Sequence, residues 1–328
     1  MAMHANLTLK DIEAAAMRIK PQAVITPLVE CDALNVRTEA RIFLKAECLQ
    51  RTGSFKFRGA YNKVSQLGDD ALRAGVVACS SGNHAQGLAR AAQIAGTQAT
   101  IVMPADAPII KIKKTRHYGA HIVIYDRYRE SREEIAMGIA RDTGALFVPP
   151  YDDFDIMAGQ GTIGLEILQQ APVTPDLILI ACSGGGLTAG VASAVRSLAD
   201  DITIMTVEPE HHDDHARSFK QGQRVRNTEA PTSICDALLA PEPGELTWAV
   251  NERLVAGGLT VTDQQVKAAI RFAFQELKLV VEPGGAAALA AVLGNNDLKG
   301  KNVVAILSGG NIDPSLFSSL LSVDTAPL

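Results

Sequence analysis

Short apolar runs alternate with amphipathic stretches along most of the chain. Runs rich in Val, Ile, Leu and Ala predict strands at Ile42–Glu47, Val76–Ser80, Ala99–Met103, His121–Tyr125, Ala145–Val148, Leu177–Cys182, Ile202–Glu208 and Val303–Ser308. Several are apolar without interruption, the pattern of strands covered on both faces in a parallel sheet. Between them, helical spacing of apolar positions predicts helices over Gly87–Ala95, Arg129–Arg141, Thr188–Leu198 and Asp263–Leu277. A first helix opens at Thr8, which can cap it; Leu9, Ile12, Ala16 and Ile19 line one face, and Pro21 helps to end it. Strand–helix alternation of this kind argues for an α/β fold with right-handed crossovers.

No polar linker, low-complexity segment or fixed-period repeat divides the 328 residues, which are enough for two lobes or one large α/β unit. Glycine-rich stretches cluster near residues 53–59, 80–87, 183–190, 284–285 and 308–311. In an open α/β sheet such loops lie at the carboxyl ends of strands, around one cleft. A cleft fed from both halves of a chain is most easily made between two lobes. The net charge of -5 gives no electrostatic case for nucleic acid or an anionic membrane as main partner. No apolar run reaches membrane-spanning length, and residues 1–6 lack the basic start and apolar stretch of a signal peptide. Five cysteines, with no Cys-x-x-Cys pair, suggest reduced thiols in a cytoplasmic protein, without a disulfide framework or a zinc site.

The chemistry centres on Lys56, in Thr52-Gly53-Ser54-Phe55-Lys56-Phe57-Arg58-Gly59-Ala60. A lysine between two aromatic residues and close to two glycines is poorly explained as a solvated charge. Desolvation disfavours its ammonium form and makes the amine a usable nucleophile, able to form Schiff bases with carbonyl compounds such as pyridoxal phosphate. Cys182-Ser183-Gly184-Gly185-Gly186-Leu187-Thr188 lies between a predicted strand and a predicted helix. Its glycines let backbone N–H groups turn inward as an anion nest, reinforced by the helix N-terminus, so a phosphate fits without Arg or Lys. A flexible turn or a nucleotide loop is the alternative, although neither the P-loop nor the dinucleotide glycine spacing is present. Ser80-Ser81-Gly82-Asn83-His84 offers hydroxyls, an amide and N–H groups at a helix start, suited to a carboxylate or a phenolate oxygen, or else a plain cap. Ser308, before Gly309-Gly310-Asn311, can face a heterocyclic nitrogen or simply cap a strand, and Glu282-Pro283-Gly284-Gly285-Ala286 reads as a tight turn. In Glu208-Pro209-Glu210-His211-His212-Asp213-Asp214-His215, the spacing of Glu208 and Asp214 suits a hard divalent cation better than zinc. By its residues alone this stretch reads as a solvated acidic loop.

In order and separation these motifs, with Thr26-Pro27-Leu28, Lys45-Ala46-Glu47, Ala158-Gly159-Gln160-Gly161-Thr162 and Ser308–Asp313, resemble the serine/threonine dehydratase and serine racemase family of fold-type II pyridoxal-phosphate enzymes over nearly the whole chain. The resemblance implies an α/β fold of two open, mostly parallel sheets with helices on both faces, in two lobes with the cofactor between them. Residues 1–67 and 154–328 would form a large cofactor-binding domain, and 75–145 a small mobile one. It implies Lys56 as the Schiff-base lysine, Phe55 near the ring, Asn83 on the ring 3′-oxygen, the backbone of Ser183, Gly184, Gly185, Gly186 and Leu187 on the phosphate, and Ser308 on the pyridine nitrogen. Ser183 stands where the family often has a first glycine, and its hydroxyl can add a phosphate contact. Ser80, Ser81, Gly82, Asn83 and His84 would hold the substrate carboxylate, with Ser81 as a second acid/base opposite Lys56. Arg132 either serves a β-carboxylate or pairs with Glu on a helix surface, the surface role being preferred. The family also revises the acidic loop: Glu208, the His212 carbonyl and Asp214 would bind a divalent cation, Mg2+ first, with Ca2+ or Mn2+ as alternatives. The implied activity is α,β-elimination of a small β-hydroxy amino acid of the threonine, serine or 3-hydroxyaspartate type, giving a 2-oxo acid and ammonia; racemisation is the alternative. A homodimer is expected. With no regulatory domain expected beyond residue 328, the role is expected to be catabolic.

Overall fold

The computed structural model describes residues 7–322 apart from 108, 127, 229, 230 and 296; residues 1–6, read above for a leader, and the last six lie outside the described residues. Ten strands are described: β1 (Leu28–Glu30), β2 (Arg41–Lys45), β3 (Val76–Cys79), β4 (Ala99–Pro104), β5 (His121–Tyr125), β6 (Leu146–Phe147), β7 (Leu177–Ala181), β8 (Thr203–Pro209), β9 (Gly257–Val261) and β10 (Asn302–Ile306). They form a six-stranded sheet in the order β1-β2-β10-β7-β8-β9 and a four-stranded sheet in the order β5-β4-β3-β6. All pairings are parallel except β1 with β2. All eight sequence-predicted strands are present. β1 and β9 escaped the apolar pattern because one is a three-residue edge strand and the other opens with two glycines.

Uninterrupted apolar runs do become strands buried on both faces. Along β7 and β10, Leu177, Leu179, Val303 and Ala305 pack with the alanine-rich helix Pro283–Gly294. The alternate residues Ile178, Ile180, Val304 and Ile306 pack with Val191 and Val195 of the Gly186–Leu198 helix and Ile163 of the Phe154–Gln170 helix. The two-residue side-chain period thus feeds two separate cores, which requires every position to be apolar.

In the first helix, Leu9–Ile19, Thr8 and Asp11 form a reciprocal capping box. Its buried face is Ile12, Ala15 and Ile19, with Ala15 in place of the expected Ala16. Glu282–Ala286 is not a tight turn: Pro283 occupies the first position of a twelve-residue helix, where its missing N–H costs nothing. The backbone nevertheless packs closely there, since a Cβ on Gly285 would strike the backbone of Gly309.

Sheet order assembles the site. Parallel pairing of β2 with β10 sets the loop after β10 beside the segment leading to Lys56, and Phe55 N–H donates to Ser308 C=O at 3.1 Å. The Lys56–Val64 helix then enters the core next to the four-stranded sheet, burying Ala60 and Val64 with Leu88 and Ala92 of the Asn83–Ala95 helix. Where it crosses the Phe154–Gln170 helix, a Cβ on Gly159 would stand 2.5 Å from the Gly59 Cα, so both positions need glycine.

Candidate active site

A cavity of about 470 Å³ opens between the two sheets, lined by Phe55, Lys56, Ser80–His84, Arg132, Ser183–Thr188, Glu282 and Ser308 among others. Residues more than two hundred positions apart meet here because most of their loops leave the carboxyl ends of parallel strands, while Glu282 arrives as the residue before the Pro283–Gly294 helix. Every cofactor and substrate residue expected from the sequence lines this cavity. Glu208, His212 and Asp214 lie elsewhere.

Lys56 Nζ donates to Pro150 C=O at 2.6 Å and stands 5.1 Å from the centre of the Phe55 ring. Phe57 turns away, fully buried, and stacks on Tyr61, so only one of the flanking rings faces the amine. Burial away from water lowers the Lys56 pKa from 10.5 to about 8. A nucleophilic amine attacks only when neutral. Mixing the apo protein with pyridoxal phosphate is therefore expected to give an observed rate that rises with pH and levels off above about 8. A rate still climbing towards pH 10.5 would mean an ordinary solvated lysine.

The Ser183–Leu187 loop leads from β7 into the Gly186–Leu198 helix. Gly185 has a φ of +95°, which only glycine adopts at little cost. A Cβ on Gly184 would run into the Tyr151 ring, and one on Gly186 would meet Tyr151 C=O at 2.8 Å. Among the described residues, none accepts a hydrogen bond from the N–H groups of Gly185, Gly186 or Leu187. Thr188 Oγ1, buried in the cavity wall, also lacks a partner. Free donors converging at a helix start fit a phosphate dianion. Ser183 Oγ, expected to face a phosphate, accepts from Ala240 N–H at 3.1 Å, so its hydroxyl ties the loop to the segment around Ala240.

At the other end, Asn83 opens the Asn83–Ala95 helix. Its Oδ1 accepts from Asn311 Nδ2 at 2.8 Å, its Nδ2 donates to Glu282, and Asn311 also donates to Thr52 C=O at 2.6 Å. The amide is thus oriented by protein on both sides, with one N–H left for a ligand. Burial raises the Glu282 carboxyl to about 7, against the opposing pull of Asn83. His84 is buried with Nε2 2.9 Å from Val148 C=O, so a neutral ring carries its proton there; Nδ1 has no partner. Desolvation drops its pKa to about 3. Arg132 lines the cavity and pairs on the helix surface as preferred above, its Nε donating to Glu133 at 2.7 Å.

The acidic stretch is not a solvated loop. Glu208 and Asp214 are almost completely buried, and Glu208 accepts from His215 N–H at 2.9 Å and Ala216 N–H at 2.8 Å, at the start of the Asp214–Gln221 helix. Asp214 Oδ1 accepts from Asn227 at 2.7 Å, while its Oδ2 is buried without a partner. Burial raises both carboxyls, Asp214 to about 7, and the Asp214 charge adds to the rise at Glu208. The His212 ring faces Pro231 C=O. Among the described residues there is no cluster of three or more His, Cys, Asp or Glu side chains of the kind that holds a metal.

Sequence reasoning missed Asp152, Thr247 and Asn251. Asp152 accepts from the N–H groups of Glu245, Leu246 and Thr247 and so caps the Glu245–Leu254 helix from a distant loop. Thr247 and Asn251, both fully buried, donate to carbonyls of the Ser183–Leu187 loop, Gly184 at 2.6 Å and Gly185 at 3.2 Å. The available signal was a pair of polar residues four apart on the apolar side of an amphipathic helix.

A desolvated lysine and an anion cradle in one cavity between two mostly parallel sheets define a fold-type II pyridoxal-phosphate enzyme. The chain belongs to the pyridoxal-phosphate dependent enzyme family, whose model matches residues 19–309. It is 42% identical over 316 residues to the L-threo-3-hydroxyaspartate ammonia-lyase of Saccharomyces cerevisiae, covering 96% of each chain. It is 40% identical to the L-threonine ammonia-lyase of Thermotoga maritima, covering 96% of this chain and 78% of that protein. The structure of maize serine racemase superposes with a TM-score of 0.91 at 36% identity, covering 96% of this chain and 97% of the maize chain.

Proposed function

We propose that this enzyme is an ammonia-lyase that removes the β-hydroxyl and the amino group from a small hydroxy amino acid, giving a 2-oxo acid and ammonia. The observation that carries this reading is the shared cavity of the Lys56 amine, the glycine cradle and the Ser80–His84 loop, together with the ammonia-lyase relatives. Bound there, pyridoxal phosphate supplies an electron sink for charge developing at the α-carbon. The Ser183–Leu187 N–H groups would hold its phosphate, Asn83 its 3′-oxygen, and Ser308 its ring nitrogen. A serine at that last position leaves the nitrogen largely unprotonated, a tuning that favours prompt elimination over transamination. The Ser80–His84 loop orients the substrate carboxylate, so that the freed Lys56 amine meets the α-proton in line. The β-hydroxyl leaves as water, and hydrolysis of the released product completes the reaction. Residues 75–145, which carry most of the four-stranded sheet, would move as the smaller lobe and exclude water.

Among possible substrates, the 3-hydroxyaspartate type is the reading we favour, supported by Arg132 among the residues lining the cavity and by the hydroxyaspartate ammonia-lyase relatives. Purified enzyme assayed for 2-oxo acid with L- and D-serine, L-threonine and the 3-hydroxyaspartate stereoisomers tests both levels. Arg132→Met is expected to raise KM for hydroxyaspartate about tenfold or more while sparing threonine. Equal effects on both substrates would return Arg132 to the helix surface, and no 2-oxo acid from any substrate would overturn the lyase reading.

Racemisation stays as a second activity, supported by the likeness to a serine racemase and by Ser81 in the same cavity wall. Ser81→Ala is expected to lose reaction with one enantiomer by a factor of about 10² to 10⁴ before the other is affected. Equal losses, measured by chiral analysis, would deny Ser81 a separate proton role.

The orphaned Oδ2 of Asp214, the buried Glu208 and hard oxygen donors fit a divalent cation, and Mg2+ with the His212 carbonyl as third ligand is the form proposed. Running the same assays with and without Mg2+ addresses it. A cytoplasmic homodimer completes the proposal; five free, buried cysteines are consistent with a reducing compartment.

A further inference from the structure

The glycine cradle does not hold its own shape. Gly184 C=O accepts from the Thr247 hydroxyl at 2.6 Å and from Gly244 N–H at 3.2 Å. Gly185 C=O accepts from Asn251 Nδ2 at 3.2 Å and from Ala189 N–H at 2.8 Å. In a trans peptide the C=O and the following N–H point in opposite directions. Drawing the Gly184 and Gly185 carbonyls outward to the Glu245–Leu254 helix therefore turns the N–H groups of Gly185 and Gly186 the other way. Those N–H groups are the ones without protein acceptors.

The fit between loop and helix is tight. A Cβ on Gly185 would stand 2.8 Å from Asn251 Nδ2 and 2.9 Å from Thr247 Oγ1. The helix itself is anchored, since Asp152 accepts from its first N–H groups, and Tyr151 beside it covers Gly184. Pro150, one residue earlier, holds the Lys56 amine. The Pro150–Asp152 segment thus connects the nucleophile to the frame of the cradle.

We infer that Thr247 and Asn251 are positioning residues for cofactor phosphate: they act through the Gly184 and Gly185 carbonyls to aim the loop's N–H groups at the phosphoryl oxygens. The inference rests on the reading that Ser183–Leu187 holds the phosphate. Its signature is a loss of affinity confined to the phosphorylated cofactor. Pyridoxal has the same aldehyde for Lys56 but no phosphate, so the ratio of the two dissociation constants isolates the cradle.

The test is absorbance titration of full-length apo protein with pyridoxal phosphate and with pyridoxal. Thr247→Val is expected to lower the preference for the phosphorylated form about tenfold, with pyridoxal binding unchanged. Thr247→Ser, which keeps the donor, should restore the preference, and Asn251→Leu should act in the same direction by a smaller factor. Equal weakening of both ligands in Thr247→Val and Asn251→Leu, or an unchanged preference in both, overturns the inference. Gly185→Ala separates the underlying reading: if it too keeps the full preference, the loop does not hold the phosphate. If only Gly185→Ala loses it, the loop reading stands and the role of Thr247 and Asn251 falls.

Discussion

Lys56→Ala is expected to abolish the visible absorbance of lysine-bound pyridoxal phosphate and to lower lyase activity by about 10³- to 10⁴-fold or more. In the proposed chemistry two functions go with one nitrogen, the covalent tether and the base that takes the α-proton. Replacement should leave the fold intact. The amine sits at the wall of an open cavity with one backbone partner, Pro150 C=O, and burial already disfavours its charge. Apo variant and apo wild type should therefore melt within a few degrees of each other while their spectra with cofactor differ completely. A variant that keeps full activity would remove the basis of the proposed chemistry.

The second large effect concerns stability. Two residues beyond Lys56, Arg58 is completely buried and donates from Nε and Nη2 to Glu47 at 2.8 and 2.7 Å, and from Nη1 and Nη2 to Glu166 at 2.6 and 2.9 Å. Lys45, also fully buried, donates to Glu166 at 2.6 Å, to Thr26 C=O at 2.7 Å and to Gln170 at 2.8 Å. Burial works to raise the Glu47 carboxyl, yet the charge and hydrogen bonds of Arg58 together hold it below its ordinary value. Two cations against two carboxylates make the cluster balanced only while all four members remain. Arg58→Met leaves the Glu47 carboxylate in a dry interior without its main partner, at a cost of about 3–5 kcal/mol. A lowered denaturation midpoint of the apo protein reads this directly, and an unchanged midpoint would refute it. Arg58→Lys should recover little, because one ammonium cannot make paired bonds to two carboxylates.

How much of this was legible beforehand depends on the distance over which each feature is decided. The eight strands were readable because a run such as Leu177–Ala181 must be apolar throughout to face two cores. The Ser183–Leu187 loop was readable because three successive glycines between a strand and a helix leave backbone N–H groups free to turn inward. β9 was not, since Gly257 and Gly258 look like a turn and become a strand only by pairing with Met205 and Thr206. Ala15 displaced Ala16 on the buried face of the first helix because two adjacent alanines leave the phase of a helix open by about 100°. The acidic stretch was misread in isolation, since a run of charged and histidine residues gives no hint that Glu208, Asp214 and His215 end up buried.

Local chemistry along the chain was enough to give the fold class and to single out Lys56 and the loops that share its cavity, because each depends on residue type at short spacing. Sequence order could not say which groups would stand behind those loops. That Thr247 and Asn251 pull the cradle carbonyls outward, that Asp152 caps their helix, and that Glu282 and Asn311 grip the two ends of the Asn83 amide follow from parallel pairing of strands distant in the chain. A hydrogen bond between groups 63 to 228 residues apart is decided by packing alone. Here packing determines where the donors of the site point.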